Sequence, residues 1–355
     1  MSVFTQMAEN DHEQVVICRD EGSGLQAIIA IHDTTLGPAL GGCRMWNFGS
    51  FDEALDDALR LSRGMTYKAA VAGLDLGGGK SVIIGDAKTQ KSEELFRAFG
   101  RFVESLNGRY ITAEDVGTSP LDMSNIHRET NHVRGCSRGS GGSGDPSPIT
   151  AFGVFCGLQA AASWKFGRND LHGLTVAVQG AGHVGYHLSK ELARVGCTVL
   201  ISDIDAGRAA KVQEECGARV VPPEEFFDQE CDIIAPCALG ASLNADTIPR
   251  IQAKVVAGAA NNQLADEQSG EALQERDILY APDYVVNAGG LINVWYEGPN
   301  YRREAVMDEV ASIRRTTRRV FEISEAEGLL PEQAALRLAE NRLNSVARLK
   351  RVWCG

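Results

Sequence analysis

Hydrophobic positions along the chain fall into runs of two kinds, and the two kinds alternate. "LQAIIAIHDT" (25–34) is almost continuously apolar and rich in branched residues, the pattern of a buried strand. "SFDEALDDALRLSRGMTYKAAVA" (50–72) instead carries apolar residues at helical spacing, with a capping serine and acids in its first turn. "KSVIIGD" (80–86) predicts a short strand closed by Gly85, and "SEELFRAFGRFVESLNG" (92–108) an amphipathic helix from Ser92 to Gly108. "RYITAEDVG" (109–117) is a strand that runs into acidic residues.

The pattern breaks at "CSRGSGGSGDPSP" (136–148), where glycine, serine and proline predict a loop or hinge. A helix, "ITAFGVFCGLQAAASWKFG", follows. Then "LTVAVQGAGHVGYHLSKELARVGCTVLISDID" (174–205) reads strand, glycine turn, helix, strand. "CDIIAPCA" (231–238), "AKVVAGAA" (253–260) and "ILYAPDYVVNAGG" (278–290) are three more strand candidates, and the last fifty or so residues are helical. No internal repeat is visible. The expectation is two α/β domains: residues 1–140, and a Rossmann domain over 141–330, with the helices of about 331–355 packing back on the first.

Composition narrows the class. The 355 residues are 44% apolar and 23% charged, and 38 glycines imply many tight turns and close backbone approaches, which suits an α/β enzyme. A net charge of −12 argues against a primary role on nucleic acid or anionic membrane. The basic residues Arg314, Arg315, Arg318, Arg319, Arg348, Lys350 and Arg351 read as solvated helix faces or subunit contacts. Nine scattered cysteines, of which the closest pair (Cys231 and Cys237) has neither zinc nor redox spacing, imply a reduced cytoplasmic setting and no metal site. No segment approaches the roughly 18 apolar residues of a spanning helix.

"GAGHVG" (180–185) fits a dinucleotide fingerprint, and its context strengthens a pattern that is weak alone. An apolar strand precedes it, a helix follows, and the next strand ends at Asp203, 23 residues after Gly180. Gly180 permits the tight turn, Gly182 lets backbone approach a pyrophosphate, and Gly185 lets helix and strand pack closely. His183 and Val184 open the helix whose free N–H groups would face the phosphates. Asp203 would accept from both ribose hydroxyls and repel a 2′-phosphate, favouring NAD over NADP; Arg208 nearby acts against that preference.

"LDLGGGKSVII" (74–84) also looks like a phosphate loop. A triphosphate loop, however, needs glycine six residues before the lysine and a helix after it. Position 74 is leucine, and "SVIIG" is a strand pattern. The glycines are therefore expected to clear space around Lys80. Lys68 in "MTYKAAVAGL", Lys80, and Asp115 in "TAEDVGT" stand in otherwise apolar strings at element ends, where an ammonium is costly to bury without a partner. Exposed helix, strand-end and turn positions are the bland alternatives for the three.

With these residues assembled, the chain resembles the glutamate, leucine, phenylalanine and valine amino-acid dehydrogenase family, nearest its leucine branch. The blocks that carry the resemblance span almost the whole chain: "LGPALGGCR", "MTYKAAVAGLDLGGGKSVIIG", "RYITAEDVGT", "GDPSPITAFGV", "AVQGAGHVG", "DIIAPCALGA", "AGAANNQL" and "YAPDYVVNAGGLINV". The resemblance implies a two-domain α/β fold with an active-site cleft between a substrate and oligomerisation domain and a Rossmann NAD domain. It implies oxidative deamination of an L-amino acid to the 2-oxo acid and ammonia, NAD taking the hydride, in a homo-oligomer, dimer or octamer.

Carried over by position, Lys68 would bind the substrate carboxylate with help from Asn262. Lys80 would be the general base toward the water that attacks an imine, and Asp115 would shuttle a proton at the amino group. Gly41, in a backbone turn, and Met65 would border the substrate. Thr150, Asn261 and Asn287 would position the nicotinamide, with Cys237 and Ala238 bordering the cofactor. An isolated lysine, with a pKa of roughly 10.4, is protonated at neutral pH and cannot act as a base. Desolvation and a second ammonium nearby, Lys68 by this reading, would favour the neutral amine, and deamination should then speed up toward alkaline pH.

Leu40 stands where glutamate enzymes of the family carry a basic residue, which disfavours glutamate. Leu40, Ala113, Leu291 and Val294 would form an apolar side-chain pocket. Leucine at 291, where valine is usual in the leucine branch, could shrink the pocket toward valine or reshape it for an aromatic. His183 replaces the usual asparagine. Branched-chain aliphatic substrates come first, with phenylalanine, tryptophan or valine as alternatives; a biosynthetic, reductive enzyme and a non-catalytic NAD-binding regulator are the other readings. A regulator would have no reason to retain Lys68, Lys80 and Asp115 together.

Overall fold

A computed structural model describes residues 2–137, 142–238, 240–298 and 300–349. The chain divides into two compact units, Met1–Gly144 with Val294–Tyr301 and Ala339–Gly355, and Asp145–Asn293 with Arg302–Leu338.

The first unit is built on a five-stranded mixed sheet of β1 (Gln14–Asp20), β2 (Leu25–Asp33), β3 (Ala39–Trp46), β4 (Gly77–Ile84) and β5 (Tyr110–Glu114), in the order β1-β2-β4-β3-β5. β2 runs antiparallel to β1 and β4, whereas β3 is parallel to β4 and β5. Alternate residues of a strand face opposite sides. Ile28, Ala30 and Val82 pack on one side with Ala54, Leu55, Ala58 and Leu59 of the helix Phe51–Val71. Ala27, Ile29, Ile31 and Ile83 pack on the other with Phe96, Phe99 and Val103 of the helix Glu93–Ser105. Cover on both faces explains why β2 reads as an unbroken apolar run.

Helix Phe51–Val71 starts where the Ser50 side chain accepts from Glu53 N–H, and Asp52 and Glu53 suit its positive end. Arg342, in the last part of the helix Pro331–Ala347, donates to the Ala70 carbonyl in the last turn of helix Phe51–Val71 and to the Leu74 carbonyl just beyond it, and pairs with Asp75 at 2.7 Å. Buried Glu297 accepts from Gly135 N–H (2.7 Å) and from Ser143 N–H (3.0 Å) and Oγ–H (2.5 Å), which ties Val294–Tyr301 to the end of the first stretch.

The second unit carries a six-stranded sheet of β6 (Thr175–Gln179), β7 (Thr198–Ser202), β8 (Arg219–Val220), β9 (Ile233–Pro236), β10 (Val255–Val256) and β11 (Leu279–Tyr280). Its order is β11-β10-β9-β6-β7-β8 and every pairing is parallel, the doubly wound arrangement whose switch point lies between β6 and β9.

Several elements depart from the sequence reading. β4 begins at Gly77, so the three glycines are strand residues rather than a loop ahead of a strand. β1 and β3 were not foreseen. The run 278–290 holds only the two strand residues of β11 and continues as the helices Asp283–Val286 and Gly289–Trp295. A short buried apolar run looks alike in either state, so periodicity could not separate them.

Candidate active site

Strand parity collects the first unit's polar groups. β3 and β4 pair Leu40 with Gly78 and Arg44 with Val82, and β3 and β5 pair Gly42 with Ala113. Leu40, Gly42, Arg44, Lys80 and Ala113 therefore share the sheet face covered by helix Phe51–Val71. That helix brings Asp57, Arg60, Met65 and Lys68, the last two one turn apart and half-buried. Asp115 directly follows β5.

Lys80 is buried, and its Nζ touches Asp115 Oδ2. Asp115 also lies 3.9 Å from Arg44 Nη2, while Arg44 Nη1 is paired with Asp57 Oδ2 at 2.7 Å and Arg60 with the other Asp57 oxygen at 2.8 Å. Thr118 Oγ accepts from Asp115 N–H at 3.0 Å, and Asp115 Oδ1 accepts from Val116 N–H at 2.6 Å, so the carboxylate is held on its own turn. Burial first, and the Arg44 guanidinium second, bring the Lys80 amine down to about 7. The carboxylate of Asp115 works the other way, stabilising the ammonium it touches. The arrangement is an amine brought near neutrality in contact with a carboxylate, which is what base chemistry at physiological pH requires. After burial, the leading influence is a guanidinium, not the second ammonium expected from the sequence.

The glycines around Lys80 do not leave empty room. A methyl group on Gly78 would overlap Thr66 Oγ1 and the Ser62 and Thr66 backbone, and one on Gly77 would overlap the Asp33 carbonyl. On Gly79 it would meet the Tyr110 ring at 2.7 Å. Gly41 lies inside β3 rather than in a turn; its missing side chain admits the Gly79 carbonyl, and its own carbonyl accepts from Tyr110 O–H at 2.7 Å. Gly42, which the sequence reading passed over, lets the Asp115 Cβ approach to 2.7 Å of where its own would stand.

Behind Gly78 lies a buried histidine pair. His32 Nδ1 is 2.8 Å from Thr66 Oγ1, His12 Nε2 is 2.8 Å from Ser62 Oγ, and the ring centroids are 4.8 Å apart. Burial lowers both to about 4, so both are neutral in the folded protein at pH 7.

In the second unit, Gly180 ends β6 at φ +97°, and a methyl group on Gly185 would overlap the Gly180 carbonyl, so helix and strand meet closely. Gly182 is the N-cap of the helix His183–Arg194, makes no side-chain capping bond, and faces open space. The uncapped N–H groups and the clear approach fit a dinucleotide pyrophosphate. Asp203 sits at the end of β7, Oδ2 accepting from Ala181 N–H (2.6 Å) and Oδ1 from Asp205 N–H (2.8 Å). One lone pair on each oxygen remains for ribose hydroxyls. Arg208 pairs with Asp205 at 3.5 Å, not with Asp203. His183, next to Val184 in the first turn, lies 3.2 Å from Asp145.

Ala238 and Cys237 close on Gly180, at 3.0 Å from the position its Cβ would take. Asn287 is buried and donates to the Ala259 carbonyl (3.0 Å) and Asn261 Oδ1 (2.7 Å). Thr150 Oγ donates to the Pro146 carbonyl at 3.1 Å. Asn262 is exposed in the left-handed region at φ +52°, its carbonyl accepting from Ala241 N–H at 2.6 Å. Leu291 is buried in the second unit, while Leu40, Ala113 and Val294 belong to the first. Among the described residues, no group of three or more His, Cys, Asp or Glu is placed to hold a metal ion, and no helix is long and apolar enough to cross a membrane.

Sequence reading missed Arg44, Asp57 and Gly42. The signal was available for two of them: Leu40, Gly42 and Arg44 stand at alternate positions of one strand, so one face had to carry all three.

Residues 12–132 match the family model "Glu/Leu/Phe/Val dehydrogenase, dimerisation domain", and residues 203–311 match "Glutamate/Leucine/Phenylalanine/Valine dehydrogenase". The chain is 54% identical over 348 residues to leucine dehydrogenase of Bacillus subtilis (strain 168), covering 98% of this chain and 96% of the relative. It is 48% identical to L-tryptophan dehydrogenase of Nostoc punctiforme (strain ATCC 29133 / PCC 73102) over 99% and 98% of the two chains. Among solved structures, L-tryptophan dehydrogenase from Nostoc punctiforme superposes with a TM-score of 0.88, at 46% identity over 98% of this chain and all of that one. Hetero-hexameric glutamate dehydrogenase from Thermus thermophilus gives 0.78 at 26% identity, over 97% and 91%.

Proposed function

The chain belongs to the Glu/Leu/Phe/Val dehydrogenase family, and on that premise we propose that it catalyses reversible oxidative deamination of an L-amino acid, leucine first, with NAD as hydride acceptor. The observation that carries the reading is the buried Lys80 in contact with Asp115, on the sheet face that also bears Leu40 and Ala113.

Lys68 anchors the substrate carboxylate, with Asn262 assisting. The bound nicotinamide supplies the hydride acceptor. Asp115 takes the proton released as the amine becomes an imine. Lys80 then removes a proton from the water that attacks the imine carbon. Asp115 returns a proton to nitrogen and then takes the remaining hydroxyl proton as ammonia leaves and the carbonyl forms. Lys80 can do this because its amine is substantially neutral near pH 7. The uncapped helix at Gly182 receives the pyrophosphate and Asp203 the ribose, with NAD preferred to NADP because a carboxylate repels a 2′-phosphate. Met65 and Gly41 border the substrate; Thr150, Asn261, Asn287, Cys237 and Ala238 border the cofactor.

Leu40 would leave a substrate γ-carboxylate unpaired, which disfavours glutamate. The second reading is the same chemistry on tryptophan or phenylalanine. It is favoured by the near-complete match to L-tryptophan dehydrogenase and by leucine at 291. The test is a panel of leucine, valine, isoleucine, phenylalanine, tryptophan and glutamate, each with NAD and NADP. Fastest turnover with leucine and NAD supports the first reading, and an aromatic preference the second; negligible rates with all six refute the function. Assembly is proposed to be homo-oligomeric through the first unit, a dimer or octamer, which sedimentation would resolve.

A further inference from the structure

The residue on the Lys80 face with no role so far is Arg44. It is fixed by β3, and a helix and a turn supply its two carboxylates: Asp57 at 2.7 Å on Nη1 and Asp115 at 3.9 Å from Nη2. Its Nε is buried and has no hydrogen-bond partner. Asp57 is in turn shared with Arg60 at 2.8 Å. Arg44 and Lys80 thus approach different oxygens of Asp115, so one carboxylate is shared by an arginine, which stays charged, and a lysine that can give its proton up.

We propose that Arg44 is a positioning residue of the reaction, holding Asp115 against Lys80 and, as the fixed cation of the cluster, setting the pH range in which the pair works, with Asp57 as its counterweight. The proposal rests on the reading of Lys80 as the base. The charged or titratable groups that act on Lys80 include Arg44 from β3, Asp57 and Arg60 from helix Phe51–Val71, Asp115 after β5 and, from the other face of β3, Cys43; β2 places Ala30 beside it. Arg44 and Arg60 lower the proton affinity of the amine, whereas Asp57 and Cys43 raise it. Removing Arg44 and removing Asp57 must therefore act in opposite directions, which no purely structural role for either would produce.

The test compares kcat against pH, with saturating NAD and the fastest amino acid of the panel, for the whole protein and two variants. Arg44→Gln leaves Asp57 paired with Arg60, so no carboxylate is stranded. Its acid limb should move up by about one pH unit, a roughly tenfold lower kcat on that limb, with recovery at high pH. Asp57→Asn should move the limb down by a smaller amount. Limbs displaced in opposite directions support the proposal. Limbs that stay in place, or rates depressed equally at every pH, overturn it. Should Arg44→Gln fail to fold, the direction of the Asp57→Asn shift decides alone. Lys80→Ala separates the two levels: if that variant keeps its turnover, the base reading itself has failed, whereas an inactive Lys80→Ala with unmoved Arg44→Gln and Asp57→Asn limbs refutes only the role of Arg44.

Discussion

Two glycine-rich stretches, 77–79 in β4 and 180–185 after β6, look interchangeable as letters and differ as surfaces at Gly182. At Gly77, Gly78 and Gly79 the missing side chains are replaced by protein: the Asp33 carbonyl, Thr66 with the Ser62 backbone, and the Tyr110 ring. At Gly182 nothing stands within reach, and the helix behind it lacks a side-chain cap. The first run draws a helix and a tyrosine tight against the strand that buries Lys80, and so fixes the lysine's surroundings. The second leaves a place for an anion. Glycine in a sequence announces close approach; only the structure says whether protein or ligand makes it.

The largest effect that would break this contrast comes from the lysine itself. Lys80→Ala should lower kcat by about 10³-fold or more while leaving the NAD dissociation constant within about twofold, as measured by steady-state kinetics and nucleotide fluorescence titration. Next is Gly78→Ala, which forces backbone of helix Phe51–Val71 away and should cost about 3 kcal/mol in denaturant unfolding. An unchanged midpoint would mean that this run is not packed. Gly182→Ala is its mirror: stability within about 0.5 kcal/mol of the parent, but NAD bound about tenfold more weakly, because the new methyl stands where the pyrophosphate approaches. Equal behaviour of the two alanine variants would erase the distinction.

A smaller effect sharpens the closed side. Thr66, which fills the space at Gly78, is bonded to His32, and His12 to Ser62. Both histidines are held near 4 when folded and titrate at about 6.5 when unfolded. The unfolded chain therefore binds more protons between those values. The stabilisation is complete above about pH 6.5 and is lost as the pH falls toward 4, by up to about 1.4 kcal/mol per pH unit for each histidine. Urea unfolding across pH 4–7 measures the slope, and His32→Asn should reduce it.

Much of this was legible beforehand, and the reasons are specific. The apolar run of β2, the capped helix Phe51–Val71 and the strand–glycine–helix unit around Gly180 each combine local propensity with burial, so pattern and structure agree. The failures came where local letters were ambiguous. Residues 283–295 are buried almost throughout and form short helices, so no period survives to distinguish them from a strand. β3 was hidden by its two glycines, and with it went the parity that places Arg44 beside Asp115. Lys80 and Asp115 stood out as charges in apolar strings, but that they touch depends on β3, β4 and β5 lying side by side, which is a property of the sheet.

The central claim is that Lys80, buried on the sheet face where Gly78 lets helix Phe51–Val71 pack close, is the base because about half of its amine is neutral at pH 7. The most direct test is kcat for oxidative deamination from pH 5.5 to 9 with saturating amino acid and NAD. The prediction is a tenfold rise per pH unit on the acid side, bending to a plateau near pH 7, and loss of that limb in the residual activity of Lys80→Ala. A kcat that does not change below pH 7, or an identical limb in Lys80→Ala, would contradict it.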